Sequence, residues 1–295
     1  MMRNVNYRFW GLSVIMTLVC LAGCKKEEQL VLSVTRAGFQ PQQVEKTYIG
    51  RGLQDTVVNW TNTENVYIDG TGITASSCPL TIQGDKVQVT PSGTASAYYA
   101  LYPASNTTVS TSGGSVNIPS SQYYTEDGNG NQIINAPMAA YLTAANGTLF
   151  FRNVASLLRI AVMNGNENGK TFTVKRISVS ASNNVNLSGS LPFTFSGNTQ
   201  NADINTPDPA SASGVTLTGC DTNATLGNSN TIAPGAMKVF NIVVAPYSTD
   251  CELTIKVTGT LQGGSVDTYT IVQNTARNLL HGEVAVQFFA TNFEK

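Results

Sequence analysis

The sequence predicts an all-β protein, and three observations lead there. Apolar residues recur at period two in short runs, as in half-buried strands. Clusters rich in Gly and Asn, such as Gly128-Asn129-Gly130, Asn164-Gly165 and Gly263-Gly264, punctuate those runs as turns do. No segment keeps a helical period beyond a turn or two, with Ala276 to Leu280 the one exception.

The strands follow in order. Leu30-Val31-Leu32-Ser33-Val34-Thr35 reads as the first. Val57 to Trp60 and Val66-Tyr67-Ile68 are joined by a polar turn, and Lys86 to Thr90 places Val87 and Val89 on one face. The aromatic run Ala97 to Tyr102 stops at Pro103, which cannot donate to a ladder. Thr148 to Phe151 and Ser156 to Val162 flank a short connection. Phe172 to Val179, Met237 to Val244, Leu253 to Val257, Tyr269 to Val272 and Val284 to Phe289 complete the set. Two polar stretches interrupt it: Gln122 to Asn135 reads as an exposed loop, and Asn198 to Gly214 as a long surface loop.

The N-terminus carries an address. Arg3 and Arg8 precede an apolar run from Phe9 to Leu21, the length of a signal peptide and short of the roughly 20 residues that span a bilayer. The run ends in Leu21-Ala22-Gly23-Cys24, which resembles a bacterial lipobox, with cleavage between Gly23 and Cys24 and acylation of Cys24. Lys25-Lys26-Glu27-Glu28 resembles the export signals that carry some lipoproteins to the outer face of the outer membrane. Of the 17 Lys and Arg, Arg3 and Arg8 are lost with residues 1–23, leaving 15 against 18 acids and a net charge near −3. That balance, without basic clusters, argues against a nucleic-acid partner. The roughly 270 residues that remain exceed one small sandwich, so two domains are expected, at 37–154 and 155–295, after a segment at 24–36.

Residues that carry chemistry are sparse. His281 is the only histidine, in a turn context, and no nucleophile elbow accompanies it, so no catalytic residue is assigned and no enzyme is expected. No CxxC spacing occurs, and no metal or cofactor is assigned. Asp127-Gly128-Asn129-Gly130-Asn131 places oxygens at alternate positions as calcium loops do, but Gln132 replaces the required Gly and Met138 the bidentate Glu. Cys20 lies in the signal and Cys24 is the lipidation site, leaving Cys78, Cys220 and Cys251. Cys220 and Cys251 could form a disulfide if their strands are neighbours, with Cys78 buried. Tyr98, Tyr99, Tyr102, Tyr123 and Tyr124 read mostly as packing rather than as a sugar platform.

These pieces resemble one family. The lipobox, first strand and basic site, then a Trp60-centred strand and Asn65-Val66-Tyr67-Ile68-Asp69-Gly70, are similar to the fimbrillin (FimA/Mfa-like) family. Ala100-Leu101-Tyr102-Pro103 resembles its aromatic-Pro signature. Pro137-Met138, Leu149-Phe150-Phe151-Arg152-Asn153 and Leu157-Leu158-Arg159-Ile160 resemble its passage into the second domain. Leu280-His281-Gly282-Glu283 resembles the turn before its final strands.

The resemblance implies two transthyretin-like β-sandwich domains in tandem and a mechanical role. It implies a fimbrial subunit on the cell outer membrane, serving adhesion and biofilm formation in partnership with copies of itself or related subunits. An arginine-specific surface protease would remove the lipid and first strand, moving the protein into the fimbrium. Arg36-Ala37 directly follows that strand, whereas Arg51-Gly52 would take a second apolar segment with it. Val284, Val286 and Phe288 mark the candidate donor strand, which also reads as an ordinary last core strand. The second expectation is an unprocessed surface lipoprotein that keeps Cys24 in the membrane as a pilus anchor, or binds surface glycans or proteins.

Overall fold

The computed structural model describes residues 30–36, 40–41, 64–83, 86–126, 132–196, 203–205, 214–220, 230–280 and 283–291. All regular structure among them is β. The first half holds β1 (Leu32–Arg36), β2 (Gln40–Pro41), β3 (Asn65–Gly70), β4 (Ser76–Gln83), β5 (Lys86–Val89) and β6 (Tyr98–Tyr102). There follow β7 (Thr108–Ser110), β8 (Gly113–Ile118), β9 (Ser121–Tyr123), β10 (Met138–Leu142) and β11 (Thr148–Asn153). Next come β12 (Ser156–Asn164), β13 (Phe172–Ala181), β14 (Gly189–Ser196), β15 (Asp203–Asn205) and β16 (Val215–Thr218). The chain ends through β17 (Thr231–Ile232), β18 (Met237–Val244), β19 (Tyr247–Leu261), β20 (Val266–Leu279) and β21 (Glu283–Thr291).

Seven strands close a barrel in the order β1-β11-β10-β6-β3-β4-β5, and β1 returns to β5. The strand path closes because β1 finds a ladder on each of its edges. Leu32, Val34, Ile68, Leu80, Leu149 and Phe151 point into it and are buried. Closing a sheet on itself removes its free edges.

Two sheets build the second half. One runs β18-β12-β21-β2; the other runs β20-β19-β13-β16-β9, with β17 added on β13. They share one core, to which β12 gives Leu158 and Ile160, β18 gives Phe240 and Ile242, and β13 and β19 give Ile177 and Val257. A four-stranded sheet, β15-β14-β8-β7, forms a third layer.

That layer joins the halves. A sheet with one solvated face alternates buried and exposed residues, whereas all five residues of β6 and of β10 are buried. Tyr98 and Ala100 face the barrel, while Leu101 on β6 and Ala139 on β10 pack outward against Val116, Leu191 and Phe193. Tyr141 stacks on Phe195 with ring centroids 5.3 Å apart, and Tyr99 on Tyr141 at 5.9 Å. Strand pairing crosses the expected division at 154/155: β8 pairs with β14, and β9 runs parallel to β16.

Three sequence expectations change. Ala276 to Leu280, the helical exception, continues β20 as far as Leu279, because β19 pairs with it at Cys251↔Arg277 and Tyr247↔Leu279. The stretch from Gln122 to Asn135 is no simple exposed loop: Tyr124 is buried, and Gln122 and Gln132 bond to β18. The surface loop from Asn198 to Gly214 contains β15, paired with β14. The Val57 to Trp60 strand lies outside the described residues.

Candidate functional site

The slot occupied by β1 is the feature in which sequence and structure converge. β1 runs antiparallel to β5, with Leu32↔Val89 and Val34↔Val87, and parallel to β11, from Ser33↔Thr148 to Arg36↔Phe151. Its alternation decides which residues enter the core. Leu32 and Val34 are 0% and 3% exposed, while Val31 is 45% exposed. Leu30 packs against the same core at the slot's mouth. The β11 wall contributes Leu149 and Phe151, and the β5 wall Val89, all buried.

Gly147 sets where β11 begins. Its φ of +142° is a conformation that side-chain-bearing residues rarely adopt, and its carbonyl accepts the Ser33 N–H at 3.1 Å. Without β1, the facing backbone groups of residues 87–89 and 148–151 would lose their partners, and an apolar floor would meet water.

Of the expected processing and donor residues, Arg36 alone belongs to this slot among the described residues. Arg36 is the last residue of β1, and Ala37 lies outside the described residues. Gly23, Cys24, Arg51 and Gly52 lie outside them too, as do His281 and Asp127 to Asn131. Val284, Val286 and Phe288 sit in β21, parallel to β12 opposite Leu157, Arg159 and Ala161. Val284 is 5% exposed. The other edge of β21 is paired by β2 at Gln40↔Glu283 and Pro41↔Val284. β1 thus ends in the barrel at Arg36, and β2 starts on the β21 sheet at Gln40.

Cys220 and Cys251 form no disulfide; both are free and buried, as is Cys78. Strand order explains it. Cys220 follows β16 and Cys251 lies on β19, with β13 between them. The Cys220 N–H bonds to Lys175 O at one end of β13, whereas Leu253 pairs with Ala181 at the other. Six residues of strand span roughly 20 Å, well beyond disulfide reach.

A polar cluster that sequence reasoning did not single out lies along β18. Tyr124 donates its hydroxyl to Glu126, whose carboxylate pairs with Lys238 Nζ at 2.9 Å. Burial pushes the Tyr124 phenol well above its ordinary pKa, and the hydrogen bond and negative charge of Glu126 add to that. Burial raises Tyr247 likewise, with Cys251 adding to it, and also raises Cys251 itself. No group of three or more His, Cys, Asp or Glu is placed to hold a metal among the described residues.

No protein-family model and no curated protein matches the chain. Solved structures similar to it include a candidate cell-adhesion protein of Bacteroides fragilis, at 12% identity and a TM-score of 0.48, covering 91% of this chain and 94% of that one. A fimbrial protein of Bacteroides ovatus is 10% identical with a TM-score of 0.36, covering 88% of this chain and 48% of that one. The C-terminally truncated tip fimbrial protein Mfa3 of Porphyromonas gingivalis is 10% identical with a TM-score of 0.28, covering 82% and 80%. These likenesses are loose, and the fimbrillin family stands as what the sequence resembles.

Proposed function

We propose that this chain is a structural subunit of a cell-surface fimbria, exported as a lipoprotein through Cys24 and polymerised by strand exchange once β1 is cut away. The observation that carries the reading is the double pairing of β1: one short terminal strand closes the barrel between β5 and β11. Burying Leu32 and Val34 contributes about 1.5–3 kcal/mol each, so a barrel without β1 has a strong drive to take up another strand. An incoming strand restores both ladders and docks alternate side chains in the same positions.

Arg36 fits the cut better than Arg51. Cleavage between Arg36 and Ala37 falls where the β1 ladder ends and leaves β2 on β21. Cleavage after Arg51 would remove β2 as well. On this reading β21, with Val284, Val286 and Phe288, is the donor offered to the next copy or a related subunit. Head-to-tail contacts of that kind build fibres and need not close into rings. The role is mechanical, with adhesion and biofilm formation at the outer surface as its outcome. The finer architecture is two transthyretin-like units, the first of them completed by β1.

The test is to treat purified precursor with an arginine-specific protease, sequence the new N-terminus, and look for ladders resistant to SDS. The expected N-terminus is Ala37, and ladders should follow its appearance. Monomer that persists after β1 has left the barrel would overturn strand exchange. Acylated Cys24 on the protein recovered from cells would instead favour the lipid-retained anchor.

A further inference from the structure

Strand β18 lies at the edge of its sheet, with β12 on one side and no strand on the other among the described residues. Its outward backbone groups at Asn241 and Val243 are nevertheless occupied. Gln132 Nε2 donates to the Asn241 carbonyl at 2.7 Å, and the Asn241 N–H donates to Gln132 Oε1 at 2.7 Å. Gln122 repeats the arrangement two residues on: its Nε2 donates to the Val243 carbonyl at 2.5 Å and its Oε1 accepts the Val243 N–H at 3.0 Å.

A carboxamide offers one acceptor and paired donors, the same groups as a peptide unit. Asn241 and Val243 are consecutive outward positions in a period-two strand. The two side chains therefore fill the places where a neighbouring strand would bond. Nearby contacts hold them there: Glu126 pairs with Lys238, and the Tyr124 ring lies 5.5 Å from Phe240.

The strand itself has little else to keep a second edge away. Natural edges are usually blunted by charges, Pro or bulges. Met237–Val244 contains no Pro, its ladder with β12 runs without a bulge, and its one charge, Lys238, is engaged by Glu126. Antiparallel pairing of two copies about Asn241 would set Val239 against Val243 and Lys238 against Val244, with no like charges opposed.

We propose that Gln122 and Gln132 act together as a surrogate strand that closes the β18 edge against a second copy of this chain. The proposal concerns the β18 edge and does not depend on exchange at the barrel slot.

Its test uses the Gln122→Ala/Gln132→Ala double variant of the full mature chain, with hydrogen exchange and sedimentation velocity as readouts. The Asn241 and Val243 amides should exchange faster by at least about tenfold. The variant should also self-associate more than the wild type at matched concentration, and adding Val239→Lys should reverse that by placing a charge on the edge. Wild-type exchange at both amides, or a folded variant no more associated than the wild type, overturns the proposal. Should the double variant fail to fold, Gln132→Glu carries the same readouts, because it keeps the shape and turns an acceptor toward the Asn241 carbonyl. Unchanged values there overturn the proposal equally.

Discussion

Val34 lies opposite Leu149 in a parallel ladder, and both side chains are buried in the barrel core. The pair joins a strand near the start of the chain to one near its middle. A barrel built this way loses its closure if that one contact line fails.

Leu32→Ala should therefore destabilise the protein by about 2–5 kcal/mol, since Leu32 is fully buried and the barrel wall can collapse only partly around the gap. Ser33→Lys, on the exposed face of the same strand, should stay within roughly 0.5 kcal/mol of the wild type. Denaturant midpoints of the two variants check the contrast.

All three described thiols should resist alkylation in the folded protein and react once it is unfolded, because each is buried. Burial raises the Cys251 thiol further above its reactive range. Peptide mapping without reductant should find no Cys220–Cys251 link, even after mild oxidation.

Alkaline pH should weaken the fold. Tyr124 and Tyr247 keep their protons in the folded state to higher pH than in the unfolded chain, where ionisation centres near 10. Their contribution is intact below that pH. It falls as pH rises beyond it, since the unfolded chain then releases protons that the folded one retains. Denaturant midpoints measured from pH 9 to 11 should decline, and Tyr247→Phe should flatten the decline.

Phe193→Ala should cost about 3–5 kcal/mol, as Phe193 is 2% exposed in the layer between the two halves. Phe195→Ala should cost less, because that ring is only half-buried and packs against Tyr141 and Phe193 at the layer's margin. Thermal unfolding followed by tyrosine signals compares the two.

Much of this fold was legible in the sequence because half-buried strands announce themselves. Leu30 to Thr35, Lys86 to Thr90 and Met237 to Val244 alternate, and β1, β5 and β18 lie there. What alternation omits is who lies beside whom. Nothing local in Ser33 and Thr148 declares a parallel ladder between residues so distant in sequence. Nor does anything local show that a third layer packs over Tyr99 and Tyr141. Ala276 to Leu280 contains good helix formers, and pairing with β19 overrides that preference. Gln122 and Gln132 lie in a stretch rich in Gly and Asn, and their role depends on β18, more than a hundred residues away.

Each end of the described chain finds its parallel neighbour beside the same short link. β1 lies along β11, β21 lies along β12, and only Val154 and Ala155 separate those two inner strands. β11 begins 112 residues after Arg36, so closing the barrel joins distant parts of the chain. Contacts across such separations make folding slow, and the β1–β11 ladder is the one that carries that cost. β5 offers the opening strand one ladder early, and only β11 closes the ring around it.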